Sequence, residues 1–187
     1  MLKRGLDLVI LFICAIVFAI PCLLIAITIK LDSKGPILFW SKRVGKSNNL
    51  FMMPKFRSMK VDAPVVATHL LENPNIHLTR VGHFLRITSL DELPQLWNIF
   101  AGEMSFVGPR PALFNQLDLI EARTVLGIDG LLPGLTGWAQ VNGRDEISIE
   151  QKVCFDEEYL QNQSLLFDIK ILWLTFAKVI LREGVSH

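Results

Sequence analysis

Cysteine, net charge and ordered histidine spacing are all sparse in this 187-residue chain, and each shortage excludes something. The three cysteines, Cys14, Cys22 and Cys154, form an odd set without metal-ligand spacing, so a disulfide framework is excluded and reduced thiols facing a cytosol are expected. Nineteen Lys and Arg against eighteen Asp and Glu leave a formal charge of +1, so no nucleic acid is expected as a partner. His69, His77 and His83 lack the spacing of a metal site. There is no internal repeat and no low-complexity tract. One domain is expected at this length, with an appended membrane element, and the chain can bury a true core.

Hydrophobic residues, in contrast, make up 51% of the chain, and the excess gathers at its two ends. Leu6 to Leu31 is almost continuously apolar. As a straight helix at ~1.5 Å per residue it exceeds the ~30 Å hydrocarbon thickness. A signal peptide is set aside, because the run is too long and no Ala-x-Ala-like site follows it. Pro21 sits mid-segment, where a missing donor and a clash with the Val17 carbonyl kink or break a helix. Basic residues flank both sides: Lys3 and Arg4 before, Lys30, Lys34, Lys42, Arg43 and Lys46 after. Basic flanks favour the cytoplasmic side, which suits a helix that enters, bends at Pro21 and returns. A simple span and a re-entrant helix both stay open on these residues.

Leu165 to Arg182 has helical periodicity, with Asp168, Lys170, Thr175, Lys178 and Arg182 in one sector. Phe167, Ile169, Leu172, Trp173, Phe176 and Val179 lie largely outside it. An interfacial amphipathic helix in the headgroup region fits this pattern. So does a helix packed on the domain's own core, and one shared face would allow both.

Between the ends, Ile37 to Val44 and Leu50 to Met59 read as two strands joined by a turn at 45–49. Pro54 marks an edge or a bulge. Val61 to His77 is expected to be mostly loop. Helices are expected from Ser89 to about Phe100, stopped by Gly102, from Leu113 to Leu126, and from about Ser148 to Asn162. Leu132 to Arg144, with Pro133, Gly134, Gly137 and Gly143, is loop-rich and suited to close approach to a ligand.

The chemistry concentrates between Ser89 and Arg110. Ser89-Leu90-Asp91-Glu92 matches a capping box, with Ser89 as N-cap and Glu92 reaching back. A purely structural Glu92 is one reading of that match. The other is that the positive helix end favours ionised Asp91, able to ligate Mg²⁺ or attack phosphorus. Arg110 lies between Pro109 and Pro111, whose fixed φ lowers the entropy lost when a guanidinium grips a phosphate. Lys55, Arg57, Arg80, Arg86 and Arg144 are candidates to join it around a diphosphate, if they converge in space.

Taken in order, the chain resembles the monotopic phosphoglycosyl transferases, a bacterial sugar-transferase family. The resemblance rests on Arg43-Val44-Gly45, Lys55-Phe56-Arg57-Ser58-Met59, Thr79-Arg80-Val81-Gly82 and Leu90-Asp91-Glu92-Leu93-Pro94-Gln95-Leu96-Trp97-Asn98. It continues through Gly102, Met104-Ser105, Val107-Gly108-Pro109-Arg110-Pro111, Pro133-Gly134, Thr136 to Arg144, and Asp156 with Tyr159. Each piece is weak alone, but the ordered series is specific and covers nearly the whole chain, in the family's minimal form. Ile20 stands where the family often has serine, Pro54 where an aromatic is common and Ser41 where glutamine is usual.

The resemblance implies a mostly helical α/β fold at the cytoplasmic face of a bacterial inner membrane. Residues 1–34 would be a re-entrant membrane helix bent at Pro21. Residues 35–187 would be a small, partly embedded catalytic domain with a β-hairpin and an interfacial helix at 165–182. It implies transfer of a phosphosugar from a UDP-sugar to undecaprenyl phosphate, giving an undecaprenyl-diphosphate sugar and UMP. Asp91 matches the nucleophile of a covalent phosphosugar intermediate and a Mg²⁺ site; Glu92 matches its partner in deprotonating the acceptor. Lys55, Arg57, Arg86, Arg110 and Arg144 would hold phosphate. Two other readings stand beside this one: a membrane-bound Mg²⁺-dependent pyrophosphatase, and a non-catalytic membrane adaptor.

Overall fold

The computed structural model describes residues 2–63, 74–143 and 147–181. It is mostly helical, with a long apolar first helix and a short antiparallel hairpin. Helix α1 runs Leu2–Asp32 and passes through Pro21 without interruption, so no break in the helix appears where the sequence suggests one. At about 1.5 Å per residue it is roughly 46 Å long.

Strands β1 (Leu38–Val44) and β2 (Leu50–Phe56) pair antiparallel, Leu38 opposite Phe56 and Val44 opposite Leu50. The second strand ends three residues before the expected Met59. Pro54 lies opposite Trp40, in a two-stranded sheet where both strands are edges, so its missing donor is tolerated. Helix α2 (Arg80–Ile87), which the sequence did not announce, is capped by Thr79 Oγ1 accepting from Gly82 N at 2.9 Å.

The expected Ser89-to-Phe100 helix is instead a 3₁₀ turn over Leu90–Gln95 running into α3 (Leu96–Ala101), which Gly102 ends with φ +82°. Ser89 makes no side-chain cap, so the expected capping box is not formed there. Its backbone is left-handed, with φ 56°, instead of the extended conformation usual for an N-cap residue. The same pattern does form a capping box at Ser148 and Gln151, heading α6 (Ile149–Gln161) as expected. Helix α4 is Leu117–Val125, four residues shorter at its start than the sequence reading. Strands β3 (Ser105–Val107) and β4 (Gly134–Thr136) form an unforeseen parallel pair, followed by α5 (Trp138–Asn142). Helix α7 is Leu165–Leu181.

Both ends of α1 are fastened to the rest of the fold. At its start Lys3 Nζ donates to Asp168 Oδ2 at 2.7 Å, and Arg4 donates to the Ile99 and Phe100 carbonyls. Buried Asp7 accepts from Ser105 Oγ and Phe106 N, both at 3.0 Å. At its end Ile25 and Ile29 pack with Phe56 and Leu85, while Asp32 accepts from Val81 N. Between these anchors Ile13, Ile16, Val17, Ile20, Leu23 and Leu24 are exposed.

The main core joins Leu11, Phe51, Met53, Ile99, Met104, Phe106, Val107, Val141, Tyr159 and Ile171. Helix α7 meets it through its polar side: Asp168 and Ile171 are buried, and Thr175 Oγ1 bonds Thr136 Oγ1 at 2.7 Å. Leu166, Ile169, Trp173 and Phe176 remain outward. The helix therefore packs on the domain while showing an apolar outer face.

Candidate active site

The 3₁₀ turn that carries Asp91 and Glu92 lies against β2, and this contact decides the local charge pattern. Strand alternation places Phe51 and Met53 in the core and brings Lys55, on the same face, to the turn. Lys55 Nζ donates to Glu92 Oε1 at 2.7 Å. Arg110 Nη2 donates to the same oxygen at 2.7 Å, and its Nη1 approaches Oε2 at 3.5 Å. Burial alone would raise the Glu92 pKa, but the charges and hydrogen bonds of Arg110 and Lys55 outweigh it and hold the carboxyl well below its ordinary value.

Asp91 differs. It is 8% exposed, and no hydrogen bond from the described residues fixes its carboxylate. Burial raises its pKa, and the adjacent Glu92 charge adds to that; Lys55, Arg86 and Arg110 oppose the rise without cancelling it. Two neighbouring carboxyls are thus driven apart, one firmly ionised and tied down, the other a stronger base and unbound. Such a split separates roles in a site.

Arg86, on α2, faces Asp91, and burial lowers its pKa while the Asp91 charge resists. Its Nε donates to Ser58 Oγ at 3.1 Å. Gly82 sets the distance between α2 and this segment, because a Cβ there would fall inside the Ser58 carbonyl, a backbone group that cannot swing aside. Gly82→Ala is therefore expected to destabilise the fold by about 1–3 kcal/mol and to loosen Arg86. Thermal unfolding with and without nucleotide would check both effects.

Of the basic residues expected to gather on phosphate, Lys55, Arg86 and Arg110 converge on the acidic pair. Arg57 is committed differently: its Nη1 donates to the Lys34 carbonyl at 2.9 Å, and its Nη2 to Ser33 O and Oγ at 2.8 Å. It binds the carbonyls just past α1 and anchors that helix end. Arg144 lies outside the described residues. The glycines expected to admit a ligand, Gly134 and Gly137, instead admit backbone, since a Cβ on either would collide with Gly108.

Sequence reading missed Arg123. Arg123 sits in the last turn of α4, its guanidinium gripping Asp156 Oδ2 through Nε at 2.9 Å and Nη2 at 2.6 Å. An arginine within an amphipathic helix gives no sign of burial, and the only available hint was Asp156 in the ordered motif series.

Magnesium fits this site as an ion shared with substrate. Among the described residues no group of three His, Cys, Asp or Glu side chains could enclose a metal. Mg²⁺ commonly takes one or two carboxylates and completes its shell with phosphate oxygens and water. Asp91, which makes no ion pair among the described residues, is the carboxylate that would supply that ligand.

The chain matches the family model described as bacterial sugar transferase over residues 1–182. It is 41% identical over 188 residues to the UDP-glucose:undecaprenyl-phosphate glucose-1-phosphate transferase of Escherichia coli K12, covering 95% of this chain and 40% of that one. It is 40% identical over 207 residues to the undecaprenyl-phosphate galactose phosphotransferase of Salmonella typhimurium LT2, covering 100% and 42%. The uncharacterized sugar transferase EpsL of Bacillus subtilis 168 is 38% identical over 191 residues, with 100% and 91% covered. The chain thus spans about two fifths of the two longer relatives and nearly all of the shorter one. It belongs to the bacterial sugar transferase family.

Proposed function

We propose that this chain transfers a phosphosugar from a UDP-sugar to undecaprenyl phosphate at the cytoplasmic face of a bacterial inner membrane. The observation that carries the proposal is the divided acidic pair, with Asp91 unbound and Glu92 clamped between Lys55 and Arg110.

An Asp91 oxygen attacks the sugar-linked phosphorus, the bond from that phosphorus to the bridging oxygen breaks, and UMP leaves with the electron pair. An acceptor phosphate oxygen then attacks the same phosphorus. The bond to Asp91 breaks, the carboxylate is restored, and the product is an undecaprenyl-diphosphate sugar. Splitting the transfer lets the two anionic substrates use one cationic site in turn. Lys55, Arg86 and Arg110 hold the phosphate oxygens, and Mg²⁺ held by Asp91 and the diphosphate would neutralise charge there. Glu92 is a weak base while paired. The phosphate groups of the intermediate and the incoming acceptor would draw Lys55 and Arg110 toward themselves, which would raise the Glu92 pKa and let it take a proton from an acceptor whose second phosphate pKa is about 6.

Intact-protein mass spectrometry after incubation with UDP-sugars and Mg²⁺ tests this, with UMP release measured beside it. A sugar-phosphate adduct on Asp91 is expected. UMP and free sugar phosphate accumulating without an adduct would favour a pyrophosphatase, and no Mg²⁺-dependent UMP release from any UDP-sugar would favour an adaptor.

The membrane reading draws on α1. Crossing a bilayer would separate its two ends by the hydrocarbon thickness of ~30 Å, yet both ends are bonded to one domain. Re-entrance, with the exposed middle of α1 in one leaflet, keeps every anchor on one side. Cysteines introduced before Leu6 and after Lys34 are expected to react with an impermeant thiol reagent only after the inner membrane is opened. Labelling of the first in intact spheroplasts would restore the span.

A further inference from the structure

We propose that Arg123, backed by Asp156, is a positioning residue that sets the reach of Arg110 into the site; the inference rests on the transferase reading above. The loop carrying Arg110 is unusual in what it can donate. Pro109 and Pro111 have no N–H, so the loop is held mainly through its carbonyls, and four consecutive ones are taken by residues of three elements, β1, β4 and α4. Pro109 O accepts from Gly134 N at 2.9 Å in β4, and Ala112 O accepts from Val44 N at 3.0 Å in β1. Pro111 O accepts from Arg43 Nη1 at 3.2 Å, and Arg110 O itself accepts from Arg123 Nη1 at 2.8 Å.

Arg123 is the member of this set closest to the reacting group, since it holds the carbonyl of the very residue whose side chain meets Glu92. It is 9% exposed, and Asp156 behind it is 1% exposed. Asp156 Oδ2 receives both Nε and Nη2, which fixes the guanidinium plane and leaves Nη1 directed at the loop. A planar fork can serve a carboxylate and a carbonyl at once, whereas a lysine ammonium on a shorter reach cannot reproduce that arrangement. A small cleft of about 30 Å³ adjoins the loop, lined in part by Pro109, Pro111 and Arg123.

The sequence of contacts is therefore Asp156, Arg123, the Arg110 carbonyl, the Arg110 guanidinium, and then Glu92 or a substrate phosphate. A purely structural role for Arg123 would stabilise the domain and change turnover alike in any background. A positioning role would act only through Arg110.

A double-mutant cycle in the full-length, detergent-purified chain separates them. Arg123→Lys is expected to lower kcat for UMP release at least about tenfold in the native background and less than about twofold in an Arg110→Lys background. Equal losses in both backgrounds, or no loss in either, would overturn the inference. The Arg110 Nε–Hε NMR signal, assigned by its disappearance in Arg110→Lys, supplies a readout independent of turnover. It is expected to shift in Arg123→Lys, and an unmoved signal would also overturn the inference. Should Arg123→Lys fail to fold, Asp156→Asn keeps the side-chain shape and is expected to move the same signal. If the native chain releases no UMP from any UDP-sugar, the transferase reading fails by itself, and the NMR result still judges the contact between Arg123 and Arg110.

Discussion

Asp91→Asn is expected to abolish UMP release, with a loss on the order of 10⁴-fold or more, as removal of an essential member of a covalent catalytic set produces. The amide keeps the size and the hydrogen-bonding capacity of the carboxyl but cannot attack phosphorus or ligate a cation strongly. The adduct expected with the native chain should be missing altogether. The same substitution should make the folded chain more stable at neutral pH. Asp91 has a raised folded pKa, because burial and the Glu92 charge disfavour its ionised form. Its contribution to stability is therefore fully present only below the unfolded carboxylate pKa and is lost as pH rises through the folded value. At pH 7 the buried charge opposes folding, and asparagine removes it. An unfolding temperature that rises while activity vanishes would mark Asp91 as a group kept at the expense of stability. A falling one would mean that its carboxylate is a structural partner.

How much of this was legible before the structure differs from element to element. The hairpin and α7 follow from local signals, alternation around a turn and an apolar period near 3.6, while the capping box that starts α6 emerged only in the structure. The capping box at Ser89 shows where local signals fail. The same pattern works at Ser148, whose backbone is extended, and not at Ser89, whose backbone is left-handed. Strands β3 and β4 are three residues each, and a pairing that short leaves no period to read.

The acidic pair and Arg110 could be singled out from sequence because unusual residue types stand close together there. Their division of labour could not. That Glu92 and not Asp91 takes both Lys55 and Arg110 depends on the register of β2 against the turn, a contact across 37 residues of chain. Arg57 illustrates the reverse. Its place in a basic motif suggested phosphate, while its position at the end of β2 brings it to the carbonyls that follow α1. Motif membership identifies the neighbourhood; tertiary register assigns the bond.

Glu92→Gln then gives the second large effect, and its pH signature distinguishes it from a simple loss of structure. Transfer should fall by about 10²–10⁴-fold, the range associated with losing a positioned acid–base group. Lys55 and Arg110 also lose the negative charge they share, and the fold should weaken by about 1–2 kcal/mol, modest because Arg110 is partly exposed. Glu92 has a depressed folded pKa, so its stabilisation is present above the unfolded carboxylate pKa and disappears as pH falls through the folded value. The gap in stability between native and variant chains should therefore be widest near neutral pH and close in acid. Residual activity should show the opposite kind of change in Asp91. Glu92 raises the Asp91 pKa, and without it two released cations act on Asp91 alone. The acid limb of kcat/KM should move to lower pH in Glu92→Gln. An acid limb that stays in place would show that the group titrating there is not Asp91, and the assignment of the nucleophile would have to be abandoned.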